Sequence, residues 1–349
     1  MSKTTDYLPI MDLFQKYIQE TSKGRRLQKN GKLVSKSTIK NYQALRMNLV
    51  KFFEKDNTIF YVNINYRYSK RNFEFEKRNY RVFYRKFTDY LFLKGCTDNY
   101  VGLLVKTFKS FFIYLNQFKG YRTGDFFRDF YARREEIPVL VLDQSKLQFL
   151  IGDSAFENGL PVHLRVCKDI FVVGCSIGLR FSDLMALKVK NFEKLDNRYY
   201  IVKQSIKTNT ISRIKIPDYV HKILLKYKGK QSTLLPKISL NQFNKNLKRF
   251  AEIAEWTDVV GKERSKRGIR KELKMKNGKA YRFCDLISSH TMRRTAITTM
   301  LILGMPEPLV RKVSGHAANS QEFYKYVKYT DSFVDAETDK VFDKLLQRI

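Results

Sequence analysis

The sequence predicts a mainly α protein with small β-sheets, built as an N-terminal helical bundle followed by a mixed α+β domain. Three observations carry this expectation. Apolar residues recur at three- and four-residue spacing through the first third of the chain, the composition breaks near residues 119–138, and beyond the break short β-rich runs are interspersed with helical ones. With 349 residues, 43% of them hydrophobic, the chain is longer than the roughly 250–300 residues at which single cores stop growing, and two domains follow.

Taken in order, Ile10, Leu13, Phe14, Tyr17 and Ile18 mark a first helix. Ile39, Tyr42, Leu45, Leu49, Phe52 and Phe53 mark a second, behind the capping candidates Ser35 and Ser37. Tyr80, Phe83, Phe87 and Leu91 give a third apolar face. Val101, Leu104, Val105, Phe108, Phe111, Phe112 and Leu115 give a fourth, after a break at Gly95 to Asp98. Residues 1–118 therefore read as a four-helix bundle, with Lys36, Lys40, Arg46, Arg78, Arg81, Arg85, Lys106 and Lys109 between the apolar positions. Residues 119–138 read as a linker, ending in Arg133-Arg134-Glu135-Glu136-Ile137-Pro138, where proline disfavours helix at the residue before it. Residues 139–349 form the second domain, with helices from about Gln144 and from about Pro161 to Cys175. Strands are expected at Tyr199 to Val202 and Ile211 to Ile216, with Lys207-Thr208-Asn209 in their connection. Asn277-Gly278 predicts a second hairpin that pairs residues 271–276 with 279–283.

The charge points to a partner. Sixty-seven Lys and Arg stand against 34 Asp and Glu, a net of +33 that repels itself in the absence of a polyanion, so nucleic acid is the partner it implies. Residues 1–136 hold 28 basic and 13 acidic side chains and the remainder 39 and 21, so both domains share the excess; residues 262–282 alone hold ten Lys or Arg and two Glu. A nucleic-acid packing protein is equally basic but seldom spreads 14% aromatics over folded segments. No cationic segment followed by an apolar run opens the chain, and no run of about 18 apolar residues occurs, so neither export nor a membrane span is implied. Cys96, Cys167, Cys175 and Cys284 form no C-x-x-C pair, and Cys167 and Cys175 sit in an apolar helical pattern that suits buried free thiols, so a reduced, cytoplasmic protein without structural zinc is expected. There is no phosphate-binding G-x-x-x-x-G-K-[ST] loop, and no compact Asp/Glu group suited to two metal ions; no cofactor is expected and a metal-dependent nuclease is disfavoured.

Three segments carry chemistry. In Gly178-Leu179-Arg180-Phe181-Ser182-Asp183, Gly178 can end one helix and Ser182 cap the next, leaving Arg180 projecting from the turn. In Ser289-His290-Thr291-Met292-Arg293, serine caps a helix whose His290 and Arg293 share a face near the positive N-terminus, where an anion is favoured. In Val313-Ser314-Gly315-His316, Gly315 closes a helix begun near Pro306 and Pro308, and a short helix from about Ser320 returns a tyrosine toward His316. Each segment alone has an ordinary reading, as a solvated turn arginine, a core histidine or one of 21 tyrosines. Together, two arginines, a lysine and two histidines can clamp and protonate a phosphate that a tyrosine attacks.

In this order and spacing the pattern resembles the tyrosine recombinase, or phage-integrase, family: an Arg in a G-L-R turn, a Lys in a β-turn, H-x-x-R at a helix start, G-H, and a nucleophilic Tyr soon after. The run Leu286-Ile287-Ser288-Ser289-His290-Thr291-Met292-Arg293-Arg294-Thr295 is similar to integrases of Bacteroides-type mobile elements. The resemblance implies a SAM-like core-DNA-binding bundle ahead of a catalytic domain, and a site-specific recombinase that acts through a 3′-phosphotyrosyl intermediate in integration, excision or inversion. It implies that Arg180 and Arg293 bind the scissile phosphate, that Lys207 protonates the departing 5′ oxygen, that His290 assists proton transfer and His316 hydrogen-bonds the phosphate, and that Asp183 orients its neighbours. Lys203 lies nearby on a neighbouring strand, which leaves Lys207 open to being an ordinary surface lysine. In most of the family the nucleophile comes nine residues after the G-H histidine, whereas here Tyr324 stands at eight, Lys325 at nine and Tyr326 at ten. Tyr326 is preferred, because Val327-Lys328 resembles the apolar and basic residues after the family's nucleophile; Tyr324 is the alternative. Implied partners are double-stranded DNA and three further copies of the chain in a homo-tetramer on paired sites. The tetramer would be held through C-terminal helix exchange by the stripe Val334, Val341, Phe342, Leu345 and Leu346, a stripe that serves equally well as a self-packed core helix, with an accessory DNA-bending protein and a bacterial, nucleoid-associated setting. Type IB topoisomerase-like strand passage and non-catalytic DNA binding are the competing functions.

Overall fold

The structure is a computed structural model that describes residues 6–28, 30–204, 211–229, 232–317, 320–327, 330 and 338–339. The chain divides into two units, one of Met1–Ile137 with Glu263–Leu273 and one of Pro138–Lys262 with Lys274–Ile349.

In the first unit the four expected helices are α1 (Ile10–Ser22), α2 (Lys36–Asp56), α3 (Lys70–Leu93) and α4 (Asp98–Phe118). Ser35 caps α2 by accepting from the Thr38 amide, and Ser69 caps α3 by accepting from Asn72. Strands β1 (Tyr7–Pro9) and β2 (Tyr61–Asn63) pair antiparallel, a three-residue match too short to show as alternation in the sequence. The core is largely aromatic: Phe83, Phe108 and Phe130 stack, and Phe112 meets Phe127 at 5.2 Å between ring centroids. Phe126, Phe127 and Phe130 are buried in it, so the segment 119–138, expected from the sequence to be a linker, belongs to this unit as far as Ile137. Lys109 also holds this segment, donating to the carbonyls of Arg128 and Phe130 at 2.7 and 3.0 Å. Gly102 makes the close approach possible, since a Cβ there would meet the Arg133 carbonyl oxygen at 1.9 Å.

The second unit contains α5 (Gln144–Gly152), α6 (Ser154–Gly159), α7 (Val162–Ile177) and α8 (Phe181–Met185), then strands β3 (Phe192–Leu195), β4 (Arg198–Gln204) and β5 (Ile211–Ile216). Helices α9 (Asp218–Tyr227), α10 (Leu240–Ile253), α11 (Phe283–Leu286), α12 (Ser289–Ile302) and α13 (Glu307–Ser314) come next, and a last helical segment, α14, spans 321–327. The three strands form one antiparallel sheet in the order β3-β4-β5. The apolar helix α7 is the centre of this unit, with Ile170, Phe171, Val172 and Val173 all fully buried. Gly174 lets α12 close on α7, because a Cβ there would lie 2.3 Å from the Met292 sulfur.

The hairpin expected at Asn277-Gly278 forms earlier, as β6 (Glu263–Lys266) and β7 (Ile269–Glu272). Arg267 and Gly268 both take positive φ, 56° and 82°, as a tight two-residue turn requires, whereas Gly278 alone does so in the later dipeptide, where the Gly278 amide donates to the Met275 carbonyl and the Met275 amide to that of Lys279 without strands following. Although it comes after α10 in the chain, the hairpin belongs to the first unit. The buried Asp98 carboxylate accepts from the amides of Arg267 and Gly268 at 2.9 and 2.8 Å, Glu135 accepts from Ser265, and Arg267 pairs with Asp89 at 2.8 Å. No helix among the described residues is long and apolar enough to cross a membrane.

Candidate active site

Three local structures build the site. The first is the end of α7, where Gly178 closes the helix in the left-handed region at φ 68° and turns the chain into α8. Ser182, expected to cap α8, lies inside it; Arg180 itself occupies the capping position, with extended backbone and a half-buried side chain. A helix that starts one residue after Arg180 leaves this side chain at the turn rather than on a helix face. Asp183, in the first turn of α8, is 1% exposed.

The second is the start of α12. Ser288 caps it and its amide donates to the Thr291 hydroxyl, while the Ser289 amide donates to the Asn244 side chain. His290 is exposed at this helix entrance. Arg293, one turn on, is 5% exposed and donates from Nη1 to the Gly178 carbonyl at 2.9 Å. Gly178 therefore does two things that its role as a helix terminator does not reveal: it ends α7, and it holds the guanidinium of α12.

The third is the end of α13, where Gly315 takes φ 65° and the His316 amide donates to the Arg311 carbonyl. The His316 ring is fixed between Ser314, whose Oγ lies 2.8 Å from Nδ1, and Arg293, whose Nη2 lies 3.1 Å from Nε2 and 3.3 Å from Nδ1. Sequence reasoning gives Ser314 no role of its own; its position two residues before the histidine is the only mark it leaves in the chain.

The electrostatics of this group are dominated by burial and by like charge. Burial, followed by the neighbouring Arg180, lowers the Arg293 pKa to about 10, against the opposing influence of Tyr326 and Asp183. It remains cationic at neutral pH. Burial, followed by Arg293, Arg180 and Arg311, drives the His316 pKa down to about 3, so the imidazole is neutral and can accept from Arg293. The same interactions bring Arg180, Asp183, Arg293, His316 and Tyr326 into one electrostatic neighbourhood.

Tyr326 is half-buried on α14, its ring 6.0 Å from that of His316, and it packs on a small cluster of Ile297, Val310 and the fully buried Phe323. Tyr324 is 49% exposed and lies beneath the Arg311 guanidinium, whose Cζ is 5.0 Å from the ring centroid. Lys207 and the stripe from Val334 to Leu346 lie outside the described residues. Among the described residues no group of three or more His, Cys, Asp or Glu side chains could hold a metal ion.

Residues 166–332, a span that runs from α7 to beyond α14 and contains every side chain of this group, match the phage integrase family. Over this segment the chain is similar to the phage integrase family. Its architecture is shared with solved structures at low sequence identity. A XerH site-specific recombinase, in a post-cleavage complex with a palindromic difH substrate, aligns over 95% of this chain and 85% of its own at 12% identity, with a TM-score of 0.60. A lambda integrase dimer bound to a COC′ core site aligns over 92% and 78% at 13% identity, TM-score 0.59. A Tn1549 transposon integrase in complex with transposon right end DNA aligns over 95% and 99% at 14%, TM-score 0.57. No curated protein sequence matches the chain. The segment similar to the integrase family thus includes the ends of α7, α12 and α13 that position the site, and the likeness in fold extends across both units.

Proposed function

We propose that this protein is a site-specific DNA recombinase that cuts and rejoins strands through a 3′-phosphotyrosyl intermediate, serving integration, excision or inversion of a mobile element of the Bacteroides type. The observation that carries the reading is the convergence of Arg180, Arg293 and His316, from three separate helix termini, and Tyr326, from α14, on one cation-rich group.

Two arginines held together in a partly desolvated place repel one another until an anion arrives. A DNA phosphate removes that penalty, and each planar guanidinium can donate to its non-bridging oxygens as charge grows in the transition state. His316 is neutral in the free protein; an adjoining phosphate favours its protonated form and turns it into a second donor. The Tyr326 oxygen forms a bond to phosphorus as the bond from phosphorus to the 5′ oxygen breaks. The tyrosine proton passes by way of His290, exposed at the entrance of α12, and Lys207 delivers a proton to the departing 5′ oxygen. Asp183, buried beside Arg293, steadies the cations. The phosphodiester energy is kept in the covalent adduct, so a 5′ hydroxyl from a partner strand can reverse the step without a nucleotide cofactor.

The same reading gives double-stranded DNA as partner and a homo-tetramer on paired sites, with the apolar stripe at Val334 to Leu346 exchanged between neighbours and a DNA-bending protein assisting. It sets the protein in the bacterial cytoplasm, on the nucleoid. The net charge of +33 and the basic hairpin at Glu263–Leu273 suit contact with DNA phosphates. The test is incubation, without metal or ATP, with a nicked suicide substrate carrying the element's end sequence, then peptide mapping of any DNA-linked tyrosine. An adduct at Tyr326, lost in Tyr326→Phe and kept in Tyr324→Phe, is expected. A bound substrate with no adduct would leave a DNA-binding protein without the chemistry.

A further inference from the structure

Arg311 is a buried cation that the strand-cleavage reaction does not use. It sits on α13, four residues before Gly315, and its side chain is gripped at several points. Nε and Nη2 both donate to the Glu307 carboxylate one turn back, at 2.7 and 2.5 Å. Nη1 donates to the Ala317 carbonyl at 3.2 Å, just past the catalytic histidine. Its Cζ lies 4.0 Å from the centroid of the buried Phe323 ring and 5.0 Å from that of Tyr324. One planar group thus ties the end of α13 to the loop after His316 and to two side chains of α14.

The two tyrosines of α14 are two residues apart. At 3.6 residues per turn, such positions point about 200° away from each other around the helix axis. A helix rotated to put Tyr324 under Arg311 therefore turns Tyr326 the opposite way, which is where its ring meets His316 at 6.0 Å. Phe323 contributes apolar packing with Ile297 and Val310 and an edge-on contact with His316 at 5.3 Å, and Arg311 adds a cation over two rings with a carbonyl and a carboxylate at its edges.

We propose that Arg311 is a positioning residue for the nucleophile: it fixes the rotation of α14 and so selects Tyr326 over Tyr324. The proposal rests on the covalent tyrosine mechanism of the proposed function, and it places the choice between the two tyrosines in a side chain outside the reacting group. Arg311 touches neither phosphate nor leaving oxygen in this role, and its loss slows the attack without weakening the binding of DNA.

The test is single-turnover cleavage of the nicked substrate at saturating DNA by the full chain and by Arg311→Gln, with affinity measured in parallel. A misplacement of the order of 1 Å slows a reaction about 10²-fold, and a deficit of that order is expected with DNA affinity essentially unchanged. Repeating the assay with a 5′-phosphorothiolate substrate, whose sulfur leaves without a proton, separates positioning from proton delivery: the deficit should persist. Tyr324→Leu removes one stacking ring and should slow cleavage severalfold, whereas Tyr324→Phe keeps the ring and should match the wild type. This pair decides the matter if Arg311→Gln does not fold. Undiminished cleavage in Arg311→Gln, recovery with the thiolate substrate, or equal rates for the leucine and phenylalanine variants would each overturn the proposal. Failure of the wild-type chain to form any adduct would instead overturn the recombinase reading itself.

Discussion

The two units of this protein place their charge differently. In the first, an interlocked aromatic core carries an exposed coat of cations, among them Lys36, Lys40, Arg78, Arg81, Arg85 and Lys106. In the second, cations go inside: Lys168, Arg293 and Arg311 are all buried. Two of those three are met by carboxylates, Lys168 by Glu157 and Asp169, and Arg311 by Glu307. Arg293 is hydrogen-bonded to a backbone carbonyl and an imidazole and feels the charge of a second arginine, offset in part by the carboxylate of Asp183. Attraction to a polyanion needs only charge in water over an ordinary core, whereas stabilising a transition state needs charge out of water, and that costs the fold stability until the phosphate arrives.

The largest test of this contrast is Arg293→Met. Loss of a preorganised donor to a developing charge costs about 2.7–4 kcal/mol of barrier, or roughly 10²–10³-fold in rate. Because its pKa is lowered in the folded protein, chiefly by burial, the protonated guanidinium is a burden to the native state at neutral pH. We therefore expect single-turnover cleavage to fall by that factor while the melting temperature holds or rises. A large loss of stability would place Arg293 among the structural cations with Lys168.

Next come the close-packed glycines, one in each unit. Gly102→Ala drives a methyl into the Arg133 backbone, and overpacking of this kind costs about 1–3 kcal/mol. Gly174→Ala meets the end of a flexible methionine at 2.3 Å, which can turn aside at the expense of α12. Calorimetry should show the larger stability loss for Gly102→Ala, and cleavage assays the larger rate loss for Gly174→Ala. A smaller difference is expected in acid. As pH falls from the ordinary histidine value of 6.5 toward about 3, the unfolded chain takes up a proton at residue 316 that the folded chain refuses. This site therefore removes stability across that window and has no effect above it. Denaturant unfolding of His316→Gln should show a shallower acid decline than the wild type. The smallest effect belongs to the first unit's surface: the Lys86–Asp56 pair, with side chains 47% and 27% exposed, should couple by no more than about 1 kcal/mol in a double-mutant cycle.

Much of this is legible in the chain. The four helices of the first unit are dictated by apolar spacing, because aromatic side chains at three and four residues leave no other way to share one core. The G-L-R, H-x-x-R and G-H segments are legible because each marks a helix terminus, and termini are written in glycine and serine. Less legible are features that depend on partners far away in sequence. Nothing near Phe126, Phe127 and Phe130 announces that they fill the bundle core rather than a linker, and nothing near Arg267-Gly268 announces Asp98 as the acceptor of both turn amides. Asn277-Gly278 is the stronger local turn former and draws the hairpin expectation to itself; the carboxylate 169 and 170 residues away decides otherwise. Arg311 looks like any helical arginine until Phe323 and Tyr324 fold beneath it.

The central claim is that the second unit holds Arg293 beside Arg180 and His316 in a desolvated state that a phosphate relieves, and His316 reports on it directly. With four histidines in the chain, its imidazole resonances can be assigned by His316→Gln and tracked by NMR as pH is lowered, for the free protein and for a Tyr326→Phe complex with cognate DNA. In the free protein the ring should stay unprotonated well below pH 6.5, the ordinary histidine value, and in the complex its pKa should rise. Titration near 6.5 in the free protein, or no change on binding DNA, would contradict the account.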